Sequence, residues 1–572
     1  MTGRRTSVGA VGVRALLVVV LALLVAPQVA AAAAGPATGV TVTVGSTSSG
    51  GVFPADVAWT APAGADPAQT SYDVQLVVDG VASAPARVAT TTWHAPSVPP
   101  AASVTATVVT LDAATATSSA PASAPAVVAP RLVPALGAPT VSQGGRALTC
   151  GATVARACTV RSLAGLRLTL DIADASGLER VPTRLVRQYR APGTRALRPV
   201  YVLAYAPARA RTTAALTGRH LSRSGTWCLR VRLLGSRTTI EATSTARCVR
   251  YRPPVSIAWA GDTTLGSHAY GLPGRTGRSV LASVRGTLSA ADLAIGNYEG
   301  TLSTGGSPRC SGGPLCFIFQ APPRMADAIR WAGFDVMNVA NNHGLDMGLA
   351  ARGQTVAALR AQGLGVAGLP GTAVYRQVED TRVAILGFSH SHANDHIRDR
   401  AAAVRLVRAA SRRADVVVVV MHAGAEGAAA AHVPYGDENG FGENRGNTRA
   451  FVHAVIDAGA DVVFGSGPHV VRGIEQRAGR LAFYSTGNFA GWHNFALGGL
   501  GSQSGIAEVT LDERGEFTAG TWHSIHLDRP GIPRPDASGS SVDRVRTLSR
   551  QDFGSASPII RRRTGAITLR HG

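Results

Sequence analysis

From Val255 to His526, short apolar runs typical of β-strands alternate with alanine-rich segments whose apolar residues recur at helical spacing. The run DVVVVVMH, which ends at His422, is of the first kind, and ARGQTVAALRAQG, which begins at residue 351, is of the second. Strands that alternate with helices predict a layered α/β domain. We therefore assign residues 255–526 to one such domain.

Polar side chains follow nearly every apolar run of this domain. In layered α/β folds, ligands bind beside the strand ends where loops converge, so we expect these side chains to meet at one edge. Carboxylate, carboxamide and imidazole groups together are typical ligands of Mn, Fe or Zn, and one or two such ions could activate water. The residues in question are Asp262, Asn297, Glu299, Asn341, Asn342, His343, His422, Glu426, His469 and Asn488.

The motifs that contain these residues carry a family resemblance. In chain order they are GDTTLG, GNYEG, NVANNHGLDMG, HAGAEG, GSGPHVVRGIE and FYSTGNF. Together they resemble the capsule-synthesis CapA or poly-γ-glutamate biosynthesis family, which belongs to the calcineurin-like metallophosphoesterase superfamily. The resemblance covers about residues 255–526.

The resemblance implies a four-layer αββα fold of the metallophosphoesterase type and a divalent metal site. It assigns metal-ligand positions to Asp262, Asn342, His422 and His469, with Glu299 as a further ligand. It also implies that His343 protonates a leaving oxygen and that Asp346 orients it. For Asn341 and Asp346, a capped turn that enters the next helix is the alternative interpretation.

Two positions depart from the superfamily pattern. Thr264 stands where the first motif usually has a histidine, and Ser466 replaces the first histidine of G-H-x-P-H. A serine hydroxyl is a much weaker ligand than imidazole for these ions, so one metal position is expected to be weakened. The sequence is therefore compatible with a hydrolase and with a non-catalytic domain.

Several other polar residues are candidates for supporting roles. Asn297, Asn488 and Ser466 are expected beside the ligands, and Glu426 is interpreted as a partner of His422, with a ligand or a surface acid as alternatives. A histidine cluster follows a further apolar run, and we favour a solvated loop over a site element for it. Its members are His390, His392 and His396.

The N-terminal segment 1–33 has the layout of a secretory signal peptide, with arginines before an apolar run and then an alanine-rich stretch. An uncleaved membrane anchor is the alternative, although the central run is short for a span of about 20 residues. The sequence thus predicts a secreted or cell-surface protein. In an oxidising compartment cysteines tend to pair, so Cys310 and Cys316 are expected to close a small loop.

Two β-sandwich modules are predicted before the α/β domain. Residues 36–130 resemble a fibronectin type III module, residues 118–139 are interpreted as an Ala/Pro/Ser linker, and residues 140–250 as a disulfide-containing β module. Its four cysteines, Cys150, Cys158, Cys228 and Cys248, allow three connectivities. Residues 531–572 are predicted to be a basic flexible tail.

The net charge of +21 is carried entirely by arginine, since the chain has no lysine. Arginine binds carboxylates and phosphates, and the excess is spread along the chain, so an anionic cell-surface polymer is a better candidate partner than nucleic acid. We consider a hydrolase-like module acting on poly-γ-glutamate, a capsule or a wall component. The alternatives are a non-catalytic polymer-binding or anchoring protein and an adhesive surface protein.

Overall fold

The computed structural model describes residues 35–46, 51–173, 183–191, 198–201, 211–217, 221–222, 224–312 and 316–570. The predicted signal segment 1–33 lies outside these residues. Within the described part of the chain, no helix is both long and apolar enough to cross a membrane.

The first sheet of the α/β domain contains ten strands. The strand Val255–Thr264 pairs in parallel with Leu293–Tyr298 on one side. On its other side it pairs antiparallel with Gln503–Leu511. In sheet order the path runs Gly365–Ala367, Val336–Asn338, Leu293–Tyr298, Val255–Thr264, Gln503–Leu511, Phe517–Asp528, Ala566–Thr568 and Ile559–Ile560. Asn488–Gly491 also pairs with Val255–Thr264, and Ile532–Pro535 with Phe517–Asp528.

The second sheet has six strands, and its centre is parallel. Both faces of a central strand such as Val416–His422 are buried, which explains its uninterrupted valine run. In sheet order the strands are Val374–Val378, Thr381–Ser389, Val416–His422, Val462–Ser466, Arg480–Phe483 and Ile474–Arg477.

The two sheets pack face to face through alternate residues of their strands. Ile257 and Trp259 of the first sheet share a buried cluster with Val418 and Phe464 of the second, and the Trp259 and Phe464 rings stack with centroids 5.8 Å apart. Ala258 and Ala260 point the other way, into a cluster formed with helices. This alternation is the period-two pattern of strands that are buried on both faces.

Helices cover the outer face of each sheet. Helices Arg278–Leu281, Arg285–Ala290, Ala326–Trp331 and Gly348–Ala361 lie in the first layer, and helices Arg400–Ser411 and Thr448–Asp457 lie in the other. Both helices of the second layer have capping side chains, since Asp399 accepts from the Ala402 N–H and Asn447 accepts from the Ala450 N–H. The predicted four-layer αββα fold is confirmed.

The prediction of a flexible tail over residues 531–572 is wrong for the described residues up to 570. Helix Ser540–Phe553 buries Val542, Val545 and Leu548, and the strand Ala566–Thr568 joins the first sheet. The spacing of the apolar residues, three apart, is what places them on one helix face.

The first β module is a two-sheet sandwich. Its sheets are formed by Thr38–Val44, Phe53–Thr60 and Thr92–Val98, and by Thr70–Val78, Ser103–Asp112 and short strands that include Val81–Ala82 and Ala86–Val88. The Trp59 and Tyr72 rings meet edge to face with centroids 5.2 Å apart in its core. The predicted linker 118–139 is wrong in its first half, because Thr117–Ser118, Ala122–Ser123 and Val127–Val128 all pair with Ser103–Asp112.

The second β module also has two sheets around one core. Disulfides join Cys150 to Cys158 and Cys228 to Cys248, which selects one of the three connectivities. Its strands are Ala135–Leu136, Thr140–Gln143, Arg146–Leu148, Leu166–Ala173 and Arg211–Ala215 in one sheet, and Cys158–Val160, Thr183–Arg190, Arg198–Tyr201, Gly225–Leu233, Ala242–Thr243 and Arg247–Tyr251 in the other.

Candidate metal centre

The carboxyl ends of parallel strands from both sheets meet at one edge of the domain. Asp262 lies near the end of Val255–Thr264, Glu299 follows Leu293–Tyr298, and His422 ends Val416–His422. In the strand register Asp262 is paired with Asn297 and with Asn488, and His422 is paired with Ser466. The fold thus brings distant parts of the sequence into one polar cluster.

Three imidazoles converge on one carboxylate oxygen, Oε1 of Glu299. The Nε2 atoms of His422, His469 and His343 lie 3.6, 3.7 and 4.0 Å from it. Both carboxylate oxygens of Glu299 are buried and have no hydrogen-bond partner among the described residues. These separations are too long for hydrogen bonds, but they suit groups that share an ion at about 2.0–2.2 Å from each.

The donor set fits a divalent cation. One ligand atom each from Asp262, Glu299 and His469 lies within 4.8 Å of the others. Burial raises the pKa of Glu299 well above its usual range, and the nearby charges of Asp262, Glu426 and Asp346 raise it further. A cation at this point would offset that repulsion, so the buried carboxylate and its imidazole neighbours satisfy the requirements of a metal site.

Asp262 is held as a carboxylate by its surroundings. Burial alone would raise its pKa, but His422, His469 and the Ser466 hydroxyl outweigh burial and lower it. The Asn297 amide donates to Oδ1 at 2.8 Å, and the Gly467 N–H donates to Oδ2 at 3.1 Å. Because these contacts fix the carboxylate, Asp262 is presented in the form that binds metal.

His422 lies between Asn342 and Ser466. Its Nε2 is 2.8 Å from Oδ1 of Asn342, so these two predicted ligands are adjacent. On the other side of the ring, Nδ1 is 3.2 Å from the Ser466 hydroxyl and 3.2 Å from Oδ1 of Asp262. The serine that replaces a histidine therefore contacts His422 within the cluster.

His469 adopts a left-handed backbone conformation with φ +56°. Such a conformation costs a residue with a side chain about 1–3 kcal/mol unless its surroundings hold it. Asn488 holds both the ring and the backbone of His469. Its Oδ1 is 2.8 Å from Nδ1 of His469, and its amide donates to the His469 carbonyl at 3.1 Å. The predicted supporting role of Asn488 thus corresponds to a specific clamp on His469.

His343 belongs to a chain of polar contacts that ends in an arginine. Its Nδ1 lies 2.8 Å from Oδ2 of Asp346, whose Oδ1 lies 2.8 Å from Nε of Arg309. The Phe319 N–H donates to Asp346 at 2.7 Å, and the Phe319 ring stacks on the imidazole with centroids 4.1 Å apart. Burial lowers the pKa of His343. Sequence reasoning missed Arg309, which lies in a loop without a motif.

Asn341 makes the contacts of a turn residue. Its side-chain oxygen accepts from the His343 N–H at 3.1 Å, and its amide donates to the Tyr298 carbonyl at 2.8 Å and to Asn297 Oδ1 at 3.2 Å. It therefore orients the segment that carries Asn342 and His343. This geometry agrees with the capped-turn interpretation of Asn341.

Two expectations about neighbouring residues need correction. Glu426 does not pair with His422: its Oε1 lies 2.6 Å from Nη1 of Arg445, and its Oε2 lies 3.8 Å from Nε2 of His469. His390 is not solvated but buried, with Nδ1 3.2 Å from the His422 carbonyl. Burial lowers its pKa to about 2. His392 is exposed and His396 half-buried, with ring centroids 5.0 Å apart.

The predicted disulfide between Cys310 and Cys316 is confirmed. It closes the loop that follows Arg309, next to the metal centre. A cavity of about 320 Å³ opens over the centre and reaches His343, His469 and Glu426.

Comparison with known proteins shows which family this domain resembles. Residues 256–491 match the family model described as bacterial capsule synthesis protein PGA_cap. Over these residues the chain matches the CapA family. The capsule biosynthesis protein CapA of Bacillus anthracis is 26% identical over 288 residues, which are 46% of this chain and 66% of that protein.

A second CapA relative gives the same result. The PGA biosynthesis protein CapA of Bacillus subtilis is 25% identical over 259 residues, 42% of this chain and 64% of that protein. The chain thus spans just under two thirds of the length of these relatives. A phosphatase from Mycoplasma pneumoniae superposes with a TM-score of 0.33 at 14% identity, over 49% of this chain and 96% of that one. A TM-score this low does not support a fold assignment by itself. The fold is therefore assigned from the sheet order described above.

Proposed function

We propose that the CapA-family domain is a metal-dependent hydrolase of the phosphoesterase type, acting at the cell surface in the synthesis, export or attachment of a capsule or poly-γ-glutamate polymer. The polymer link is supported by the names of the two relatives, and the surface location by the signal-like segment 1–33. The observation that carries the hydrolytic part is the convergence of three imidazoles on the unpartnered Glu299 carboxylate.

In this proposal Asp262, Glu299, Asn342, His422 and His469 hold the metal, as Mn, Fe or Zn. A bound ion would supply Lewis acidity and lower the pKa of a coordinated water. His343 faces the same space through Nε2, while Asp346 fixes its Nδ1. Asp346 stabilises the protonated imidazole through Nδ1. The imidazolium then donates its Nε2 proton to the leaving oxygen and becomes neutral.

The test is turnover by the full chain after reconstitution with Mn²⁺, Fe²⁺ or Zn²⁺. We expect metal-dependent cleavage of bis-p-nitrophenyl phosphate or of poly-γ-glutamate, and a fall of about 10²–10⁴-fold in kcat for His343→Asn. His392→Asn is the matched control, since His392 is an exposed histidine of a neighbouring loop. Inertness on both substrates with all three metals would refute the hydrolytic part.

A second candidate function is a non-catalytic scaffold that binds or anchors the polymer. The observation in its favour is Ser466, a weak ligand where imidazole is usual, whose hydroxyl contacts His422. Ser466→His separates the two candidates. A large gain of metal binding and hydrolysis would show that the natural site is degraded. No gain, together with retained binding of poly-γ-glutamate, would favour the scaffold.

A further inference from the structure

We infer that the cleft beside the metal centre binds a sugar ring of the substrate, so that the phosphoester processed by this domain is a sugar phosphoester. The inference rests on the proposed function and names its substrate class. It depends on the shape and lining of two adjoining cavities, on the rings exposed there, and on the absence of arginine from their walls.

The cavity over the metal centre continues into a second one of about 590 Å³. The two share Phe317, Phe319, Asn494 and Phe495 as common walls. A substrate whose phosphate lies near His343 and His469 therefore extends along these aromatic rings. The second cavity is also bounded by the Cys310–Cys316 disulfide, which holds that wall in place.

Aromatic rings are exposed at this cleft to an unusual degree. Of the four large aromatic side chains exposed in the described part of the chain, Tyr270, Phe317 and Phe441 line the cavities and Tyr435 does not. Tyr270 is 66% exposed and stacks on His493 with centroids 4.9 Å apart. Exposed apolar rings gathered in one cleft mark a binding surface.

The charge of the cleft argues against a long polyanion. The chain has 56 arginines, yet none lines either cavity among the described residues. Arg309, beside the disulfide loop, is engaged by Asp346 at 2.8 Å. Among the described residues that line the two cavities, Glu426 carries the single carboxylate. A polyglutamate strand would be expected to meet guanidinium groups here, because those groups bind carboxylates.

The polar groups that remain suit hydroxyl-rich rings. The Asn494 amide donates to Thr264 Oγ1 at 2.9 Å and to the Gly266 carbonyl at 2.8 Å, which leaves its Oδ1 without a partner among the described residues. Hydroxyl groups can donate to this carbonyl and to Glu426. The C–H face of a pyranose can pack on the electron-rich faces of the Phe317 and Tyr270 rings. Together these features match a sugar.

The test is calorimetric binding to the full chain with Mn²⁺ present and with Mn²⁺ removed. The probes are glucose 1-phosphate, glycerol 1-phosphate, adenosine 5′-monophosphate and a γ-glutamate oligomer. We expect glucose 1-phosphate to bind about tenfold more tightly than glycerol 1-phosphate, the factor that one or two aromatic contacts provide. Tyr270→Ala and Phe317→Ala should each remove most of this preference, whereas the control Tyr435→Ala should keep it.

Equal binding of glucose 1-phosphate and glycerol 1-phosphate, or a preference that survives both variants, would overturn the inference. Tighter binding of the γ-glutamate oligomer would do the same. So would tighter binding of the nucleotide, because the aromatic rings would then hold its base and not a sugar. The two proposals fail separately. A ring preference without any hydrolysis would refute the proposed function alone, and hydrolysis without a ring preference would refute the sugar subsite alone.

Discussion

Replacing Glu299 with glutamine is expected to stabilise the metal-free protein and to abolish its stabilisation by metal. Both carboxylate oxygens are buried without a hydrogen-bond partner among the described residues, and burial together with nearby carboxylates raises the pKa of the group. An uncompensated buried polar group costs about 1–3 kcal/mol. The amide is still polar but removes the charge at nearly constant shape, so we expect Glu299→Gln to recover the part of the cost that is due to the charge, up to about 3 kcal/mol.

The stabilisation of the native state by bound metal can be calculated from the binding equilibrium. A ligand at 100 times its Kd stabilises the native state by about 2.7 kcal/mol. In a domain of this size, each kcal/mol shifts Tm by about 2–4 °C. Mn²⁺ in that excess should therefore raise the Tm of the wild-type α/β domain by about 5–11 °C. The Tm of Glu299→Gln should not move.

Scanning calorimetry with a chelator, and then with Mn²⁺, measures both effects. Glu443→Gln is the matched control, because the Glu443 side chain is 57% exposed and lies at the rim of the cluster. The Glu443→Gln variant should show the same rise in Tm with Mn²⁺ as the wild type. The reasoning is refuted if Glu299→Gln is less stable than wild type without metal, or if Mn²⁺ still raises its Tm.

Three further predictions concern stability. Leu548→Ala, in the C-terminal helix, should destabilise by about 2–5 kcal/mol in urea unfolding, because Leu548 is fully buried. Arg472→Leu should cost about 3–5 kcal/mol in the same assay, since it leaves Glu438, 2.6 Å away, as an unpaired buried charge. Burial raises the pKa of Asp461 to about 6. The native state therefore binds this proton more tightly than the unfolded chain, and stability falls as pH rises from about 4 to 6, by up to about 3 kcal/mol. Unfolding of Asp461→Asn across this range should lack that component.

The metal centre was largely predictable from sequence because strand ends are easy to recognise. Asp262, His422 and Ser466 each end an apolar run, and parallel strands of neighbouring position deliver their ends to one edge. Arg309 and Phe317 could not be found in this way. They lie in an irregular loop, where no period relates sequence position to direction, and only the folded chain shows that they border the site.

Two boundaries were mistaken for different physical reasons. Strands as short as Ala122–Ser123 have too few residues for an alternating pattern, so a sheet edge looked like a linker. The C-terminal helix did carry a signal, since Val542, Val545 and Leu548 are spaced three apart. The high arginine content of this segment led instead to the prediction of a basic flexible tail. The disulfide partner of Cys228 depends on strand register, which places it opposite Cys248 and which the sequence does not specify.

The most direct test of the central claim is the metal content of the full chain after reconstitution with Mn²⁺, Fe²⁺ or Zn²⁺. Inductively coupled plasma mass spectrometry measures this content. The wild type is predicted to retain at least one ion per chain after removal of free metal. His422→Ala is predicted to retain none, because His422 contacts Asp262 and Asn342 at the centre of the cluster. A wild-type chain without metal, or a His422→Ala variant with an unchanged metal content, would contradict the account.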